Sequence, residues 1–307
     1  MARSGGEEGK REERELVEIA RRYGMRIVGP NCVGIMNTHN DMNATFVMNA
    51  KRGGDIAFIS QSGALGGAGI IYKTVKEGGI GFSKFVSIGN MADVDFAEFM
   101  EYLADTEEDR AIALYIEGLR DGRRFMDVAR RVTRKKPVIV LKAGRSESGA
   151  RAASSHTGSL AGSYRIYEAA FKQSGVIIAD TIDDMLSMAR AFTQPLPKGK
   201  RVAIMTNAGG PGGVLTADAI DRLGLKLADL EDETIEELRS FLPPMAAVKN
   251  PVDMIASARG EDYYRTARAL LEDKNVDLLI SICVVPTFAG MTPTEHAEGG
   301  VIRQSRR

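Results

Sequence analysis

Short apolar stretches alternate with longer amphipathic stretches along most of the chain. Between the apolar runs, segments such as DFAEFMEYLADT and DETIEELRSFL carry their apolar residues at helical spacing. Buried strands that alternate with helices indicate an α/β fold with doubly wound parallel sheets. The apolar runs that predict strands are IAFIS (56–60), FVSIG (85–89), IALYIEG (112–118), PVIVLKAG (137–144), VIIAD (176–180), VAIMTNAG (202–209) and DLLISICVV (277–285).

One design occurs twice. The segments DIAFISQSGALGGAGI (55–70) and RVAIMTNAGGPGGVLTADAI (201–220) both predict an apolar strand, a polar pair, a glycine-bearing turn and a helix. The second copy follows TQPLPKGK, whose prolines and polar residues are typical of a linker. We therefore expect one domain over 51–197 and a second over 198–307.

The first fifty residues contain too little for a doubly wound domain. REERELVEIARRYGMRIVGPNCVG predicts a helix, a short strand and a turn. We expect residues 1–50 to be the end of a further domain. The chain also ends soon after its last predicted strand, so we expect the domain over 198–307 to be cut short.

Composition narrows the function classes. The 307 residues suffice for two or three domains, and 44% apolar with 27% charged residues is ordinary for a globular protein. Lys+Arg and Asp+Glu both number 41, so no basic excess suggests a nucleic-acid partner. We find neither a signal peptide nor a membrane-length apolar run. Cys32 and Cys283 form no CxxC pair, so we expect no zinc site, no disulfide framework and a cytoplasmic location.

The two glycine-bearing turns are candidate phosphate sites. Helix N-termini expose unpaired N–H groups and the positive end of the helix dipole, and glycines clear the approach. SQSGALGG and TNAGGPGG are neither dinucleotide fingerprints nor Walker A sequences. Each could also be an ordinary turn between a strand and a helix.

One of only three histidines lies in a loop of small and hydroxyl residues, ARAASSHTGSLAG. Imidazole accepts and releases phosphoryl groups, so His156 is a candidate phosphohistidine. Glu117, at the end of a predicted strand, could accept a hydrogen bond from the other ring nitrogen. The alternatives are that the hydroxyl residues cap the next helix, with His156 in solvent, and that Glu117 is a helix-start or surface carboxylate. We interpret His39 and His296 as surface loop residues.

Several segments resemble the NDP-forming acyl-CoA synthetases of the succinyl-CoA synthetase superfamily, in particular the ADP-forming acetate–CoA ligase α subunits. The likeness covers nearly all of residues 10–300. It implies two flavodoxin-like domains preceded by the C-terminal remnant of a Rossmann-like CoA-binding domain. The segments that carry it are GPNCVGIMN, FISQSGALGGA, GFSKFVSIGNMADVDFAEFMEYL, ALYIEGLRDGRRF, KPVIVLKAGRSESGARAASSHTGSLAG, TNAGGPGGVLTADA and NPVDMIA.

The resemblance also implies a reaction and its residues. Acyl-CoA and phosphate would give an acyl phosphate, whose phosphoryl group passes to histidine and then to ADP. It implies that His156 is the phosphohistidine and that Glu117 orients it. The residues it implies at the first phosphate-facing helix start are Ser60, Gln61, Ser62 and Gly63; at the second, Asn207, Ala208, Gly209 and Gly210; near the thioester, Asn31 and Cys32; and, in a loop of less definite role, Asn250 and Asp253.

The same resemblance implies what the chain works with. Its substrates would be a carboxylic acid, CoA and phosphate. ADP or ATP and Mg²⁺ would be held by a β-type subunit with an ATP-grasp fold, in a hetero-oligomer, and no metal site is expected on this chain. The alternative function is a non-catalytic module of the same fold that binds CoA or phosphate.

Overall fold

The chain folds into two compact units, residues 1–195 and 196–307. The computed structural model describes residues 6–47, 53–71, 80–149, 151 and 163–284. The helices and strands of the first unit are α1 (Gly6–Arg22), β1 (Gly34–Asn37), β2 (Met42–Thr45), β3 (Ile56–Ser60), the π-helix π1 (Ala64–Ile71), β4 (Phe82–Ser87), α2 (Phe96–Leu103), β5 (Ala111–Ile116), α3 (Gly122–Val132), β6 (Val138–Lys142), α4 (Tyr164–Gln173), β7 (Ile177–Ile178) and α5 (Ile182–Phe192).

The second unit is smaller. Its elements are β8 (Arg201–Thr206), the π-helix π2 (Gly209–Val214), α6 (Leu215–Arg222), β9 (Lys226–Leu227), α7 (Asp232–Phe241), β10 (Val252–Asp253), α8 (Gly260–Glu272) and β11 (Leu278–Ile282). All strand pairs of this sheet are parallel.

The sheet of the first unit has the strand order β2-β1-β4-β3-β5-β6-β7, and the five strands from β4 to β7 are parallel. The connection from β3 leads to β4 on one side, whereas the connection from β5, the neighbour of β3 on the other side, leads to β6 and away from β3. Connections that leave neighbouring strands in opposite directions open a crevice at the carboxyl ends of those strands. This crevice lies between β3 and β5.

Both faces of this sheet are covered, because alternate residues of each strand point to opposite faces. Ala57 and Ile59 of β3 pack in one core cluster with residues of α2 and α3. Ile56 and Phe58 pack in another cluster with Met185 of α5. The predicted doubly wound α/β fold is therefore confirmed, and each of the seven strands predicted from apolar runs between 56 and 285 is present with shifts of a few residues at its ends. The short strand predicted within RYGMRIVGP is not formed.

The first fifty residues differ in part from the expected arrangement. The helix is present as α1, but the strands of this region are β1 and β2, which form an antiparallel hairpin. β1 also pairs antiparallel with β4, so residues 34–45 belong to the same sheet as β3. These segments are short and polar, which gives little apolar signal for a strand at the edge of a sheet. The assignment of residues 1–50 to a separate domain stays a prediction.

The segment before β1 is anchored by one buried carboxylate. Asp93 accepts hydrogen bonds from Arg21 and Arg26 at 2.8 Å each and from the Ile27 amide at 3.0 Å. The Arg26 hydrogen bond is the main reason why the pKa of Asp93 is held well below its usual range. This network ties α1 and the residues after it to the loop that follows β4.

The turns of both repeats begin π-helices rather than α-helices. The glycine-rich segment after β3 forms π1, and the one after β8 forms π2, which continues directly as α6. π-helical turns are rare and are found often at functional sites. Among the described residues, no helix is long and apolar enough to cross a membrane.

Candidate functional site

Gln61 and Glu117 meet at the crevice between β3 and β5. The Gln61 backbone amide donates to the Tyr115 carbonyl at 3.2 Å, so Gln61 continues the pairing of the two strands. Its side-chain oxygen Oε1 then accepts from the backbone amides of Glu117 at 2.6 Å and Gly118 at 2.9 Å. The residue after β3 therefore fixes the backbone of the residue after β5.

Ser60 and Ser62 shape the turn after β3. The buried hydroxyl of Ser60 donates to the Ser62 carbonyl at 2.7 Å. The Ser62 hydroxyl accepts from the Leu65 amide at 3.2 Å, at the start of π1. Ser60 is thus a buried residue that stabilises the turn. Gln61, Ser62 and Gly63 are partly exposed at the crevice.

The loop that contains Asn31 and Cys32 lies beside this turn. The Val33 amide donates to the Ser87 hydroxyl at 3.0 Å. A Cβ built on Gly63 would lie 2.4 Å from a Val33 methyl carbon and 3.4 Å from that same hydroxyl oxygen. Only a residue without a side chain allows this approach between the phosphate-facing turn and the loop before β1.

Asn31 contacts the loop after β4, whereas Cys32 contacts its own loop. Asn31 has a φ of 55° and donates from Nδ2 to Oδ1 of Asn90 at 3.2 Å. The Cys32 thiol donates to the Val28 carbonyl at 3.4 Å. Gly89 has a φ of 51°, and a Cβ there would lie 2.2 Å from the Pro30 carbonyl oxygen. The loop after β4 therefore packs directly on the loop before β1.

Two further side chains connect the loops around the crevice. Arg120 donates from Nη1 to the carbonyls of Met91 and Ala92, which joins the loop after β5 to the loop after β4. Lys142, at the end of β6, donates from Nζ to the Glu117 carbonyl at 2.8 Å. Neither Arg120 nor Lys142 is among the site residues predicted from the sequence.

Lys142 differs from most lysines in being buried. Its side chain is buried, and burial lowers its pKa to about 8, although the nearby charge of Glu117 acts in the opposite direction. A signal for it exists in the sequence, because it is the single charged residue of the run VIVLK and charged residues are rarely fully buried.

In the second unit, Asn207 and its neighbours form a closed turn. The Asn207 amide donates to the Val284 carbonyl at 2.8 Å, and its Oδ1 accepts from the Val284 backbone amide at 2.8 Å. The Thr206 hydroxyl accepts from the Ala208 amide at 3.0 Å. The side chain of Asn207 thus holds the end of β11 in place.

Gly209, Gly210 and Asp253 lie at the carboxyl end of β8 and β10. A Cβ on Gly209 would lie 1.9 Å from Oδ2 of Asp253, so the start of π2 packs against this carboxylate. Oδ1 of Asp253 accepts from the Ile255 amide at 2.9 Å. Gly210 is exposed, with open space around its Cα.

The Asn250 side chain hydrogen-bonds to the backbone of the second sheet. β9 and β10 pair with opposite ends of the same edge of β8, which leaves a gap between them. Oδ1 of Asn250 accepts from the Ile204 amide at 2.9 Å, and Nδ2 donates to the carbonyls of Val202 at 2.7 Å and Ala228 at 3.0 Å. The side chain therefore replaces the missing strand residues between β9 and β10.

The structure brings together part of the predicted site. Gln61 contacts Glu117, and Gly63 contacts the loop of Asn31 and Cys32. His156 lies outside the described residues, so its geometry relative to Glu117 stays a prediction. Among the described residues, no group of three or more His, Cys, Asp or Glu side chains could hold a metal ion.

Comparisons with known proteins agree with this architecture. Residues 53–192 match the model of the succinyl-CoA ligase-like flavodoxin domain, and residues 202–292 match the ligase-CoA domain. The chain is 81% identical to the ADP-forming acetate–CoA ligase II subunit alpha of Pyrococcus furiosus, over 96% of this chain and 64% of the relative.

Solved structures give the same result. A crystal structure of a Pyrococcus horikoshii protein has 73% identity and a TM-score of 0.79, covering 95% of this chain and 62% of that one. The dinucleotide-forming acetyl-coenzyme A synthetase 1 of Ca. Korarchaeum cryptofilum, in complex with phosphate and ADP, has 42% identity and a TM-score of 0.82, covering 94% and 62%.

Together, the two domain models place the chain in the succinyl-CoA ligase family. Within this family it is similar to the ADP-forming acetate–CoA ligase subunits, as its motifs predict. It spans less than two thirds of the length of the curated relatives it matches.

The packing of the loops after β4 and before β1 gives a first testable prediction. Gly24 and Gly89 both have positive φ, but a Cβ on Gly24 would meet nothing within 4 Å. Gly24→Ala should lower the free energy of unfolding by about 1 kcal/mol, from backbone strain alone. Gly89→Ala should cost about 2 kcal/mol more, because backbone oxygens must move. Urea denaturation of both variants measures the difference, and equal losses would contradict the contact.

The buried Lys142 predicts a pH dependence of stability. The unfolded chain keeps this proton up to a pH of about 10.4, whereas the folded chain releases it near 8. Between these values the unfolded state binds more protons, so the Lys142 contribution to stability rises with pH. The free energy of unfolding of the wild type minus that of Lys142→Met should rise by roughly 1–2 kcal/mol from pH 8 to 10.

Urea denaturation at both pH values tests this, with Lys172→Met as the control. Lys172 is exposed, and its hydrogen bond with Glu168 raises its pKa, so this variant should show no such rise. A wild type–Lys142→Met difference that is independent of pH would show that the ammonium is not destabilised by burial.

Proposed function

We propose that this chain is the α-type chain of an ADP-forming acyl-CoA synthetase. It interconverts acyl-CoA, ADP and phosphate with a carboxylic acid, CoA and ATP through a phosphohistidine at His156. The observation that carries the proposal is the position of Glu117 at the crevice between β3 and β5, fixed by Gln61 beside a glycine-bearing π-helix. The 81% identity to a subunit named as an acetate–CoA ligase supports acetate as the acid.

The reaction has three balanced steps. A phosphate oxygen attacks the thioester carbonyl carbon, and the CoA thiolate leaves, which gives an acyl phosphate. A nitrogen of the His156 ring attacks the phosphorus, and the carboxylate leaves. A terminal oxygen of ADP then attacks the phosphorus of phosphohistidine, which gives ATP and returns the free imidazole.

The chain's own groups have two roles in these steps. Glu117 accepts a hydrogen bond from the ring nitrogen of His156 that is not phosphorylated, which fixes the tautomer and stabilises positive charge on the ring. Gln61, Ser62 and Gly63, at the start of π1, form the phosphate-facing wall of this unit. Backbone N–H groups at such a helix start stabilise the negative charge of a phosphoryl group.

The turn after β8 is proposed as the second phosphate-facing helix start, through the backbone of Gly209 and Gly210. The Ala208 amide is bonded to the Thr206 hydroxyl, so the proposed part of Ala208 is to shape the turn. The side chain of Asn207 is held by Val284, so its proposed part is to shape the turn. ADP, ATP and Mg²⁺ are assigned to a partner subunit of the ATP-grasp type in a hetero-oligomer, and the location is proposed as cytoplasmic. Asn31 and Cys32 are proposed to lie near the thioester.

Intact-mass spectrometry after incubation with acetyl phosphate tests this function. The wild type should gain one phosphoryl group that is lost in mild acid, because phosphoimidazole is acid-labile. His156→Ala should gain none, and the control His296→Ala should be phosphorylated like the wild type.

Two results would contradict the proposal. Acid-stable phosphorylation, or phosphorylation that persists in His156→Ala, would place the phosphoryl group on another residue. A folded wild type that is stabilised by phosphate but never phosphorylated, with acetyl phosphate or with ATP and an ATP-grasp subunit, would favour the non-catalytic binding module.

A further inference from the structure

Lys142 lies at a buried position, where an ammonium group is unfavourable. It is the last residue of β6, whose other residues are apolar, and only 3% of it is exposed. A buried ammonium costs free energy unless its N–H donors have partners. The hydrogen-bond acceptors of the Lys142 ammonium therefore indicate what the residue does at this position.

The two carbonyls that accept from Lys142 within the described part of the chain lie at the carboxyl edge of the sheet. Its Nζ donates to the Glu117 carbonyl at 2.8 Å and to the Ala143 carbonyl. It also lies 4.5 Å from the centre of the Tyr167 ring, whose hydroxyl accepts from the Leu119 amide at 3.3 Å. Lys142 and Tyr167 thus contact the loop after β5 at two points.

Gln61 holds the same loop through different atoms. Its Oε1 accepts from the amides of Glu117 and Gly118. The amide of Glu117 is therefore bound to the residue after β3, while its carbonyl is bound to the end of β6. With its peptide groups fixed on both sides of the Cα atom, Glu117 has a fixed Cα–Cβ direction, from which its carboxylate extends.

We propose that Lys142 is a positioning residue of the phosphoryl-transfer site, which holds the Glu117 backbone against Gln61 so that the Glu117 carboxylate is directed at its partner. This inference rests on the proposed function, because the partner is the His156 imidazole. Lys142 acts through Glu117 and needs no contact with a substrate.

A residue of this kind affects the rate of phosphoryl transfer more than the binding of acetyl phosphate. When the Glu117 peptide loses its bond to Lys142, the carboxylate reaches its productive position in a smaller fraction of molecules. We expect the maximal rate of His156 phosphorylation to fall about 10- to 100-fold, with little change in the acetyl phosphate concentration that gives the half-maximal rate.

The experiment measures the rate of phosphorylation by acetyl phosphate with intact-mass spectrometry. Lys142→Met keeps most of the side-chain volume and removes the charge and the donors. Lys136→Met is the control, because Lys136 is also partly buried and donates to the carbonyls of Leu103 and Thr106, away from the crevice. Lys142→Met should show the loss, and Lys136→Met should keep the wild-type rate.

The variant Glu117→Gln separates positioning from an independent role. If Lys142 acts through Glu117, then Lys142→Met/Glu117→Gln should be no slower than Glu117→Gln alone. Multiplied losses, a wild-type rate in Lys142→Met, or a change only in the half-saturating concentration would overturn the inference. If thermal melting shows that Lys142→Met is unfolded, Lys142→Arg is tested instead. This variant keeps the charge and the N–H donors, so it should retain most of the rate of phosphorylation. A folded Lys142→Arg that shows the full loss of rate would overturn the inference.

A failure of the proposed function gives a different result. In that case the wild type itself carries no acid-labile phosphoryl group, and the inference falls with the function. A phosphorylated wild type together with an unaffected Lys142→Met would overturn the inference alone.

Discussion

The hydrogen bonds from the Glu117 and Gly118 amides to the Gln61 side chain are the constraint on which the candidate site depends. They join the ends of β3 and β5, where the connection from β3 leads to β4 on one side and the connection from β5 leads to β6 on the other side. Strand order creates the crevice, but it does not by itself fix a side chain there. The amide oxygen of Gln61 supplies the fixed point, and the loops after β4 and before β1 are packed around it.

The site is supported mainly by groups that bind the backbone. Ser87 accepts from Val33, Arg120 donates to carbonyls of the loop after β4, and Lys142 donates to the Glu117 carbonyl. Such contacts hold loop backbones in one conformation and leave the chemistry to a few side chains. In the described part of the chain, the backbone contacts hold the loops of the crevice in place, so a few reactive side chains there can be positioned precisely.

The strands could be predicted from the sequence because their signal is local. β3, with five buried residues in a row, was placed at its exact bounds, and the shorter β7 only approximately. The hairpin of β1 and β2 could not be found, since each strand has only four residues and its position is set by pairing with β4. The family was predicted from sequence motifs. Motifs contain the residues of the functional site, whereas hydrophobic periodicity indicates only helices and strands.

The candidate site could be predicted only in part. Glu117 was selected because polar residues at the ends of apolar strands line sites in open α/β sheets, and Gln61 was selected through the family resemblance. The internal roles of Asn207 and Asn250 depend on partners that are distant in sequence, so no local pattern reveals them. The Ser60 hydroxyl has a local partner, the Ser62 carbonyl, but the burial that turns it inward comes from the sheet. Lys142 was overlooked because a lysine at the end of a strand usually reaches solvent.

The central claim is that the Glu117 carboxylate lies against the His156 imidazole. The most direct test is a pH titration of the His156 ring by NMR with ¹⁵N-labelled histidine, in the wild type and in Glu117→Gln, with the resonance assigned from His156→Ala. A neighbouring carboxylate favours the imidazolium, so the account predicts that the pKa of His156 falls by about 1 unit in Glu117→Gln. An identical pKa in the two proteins would show that the two side chains do not interact, and would contradict the account.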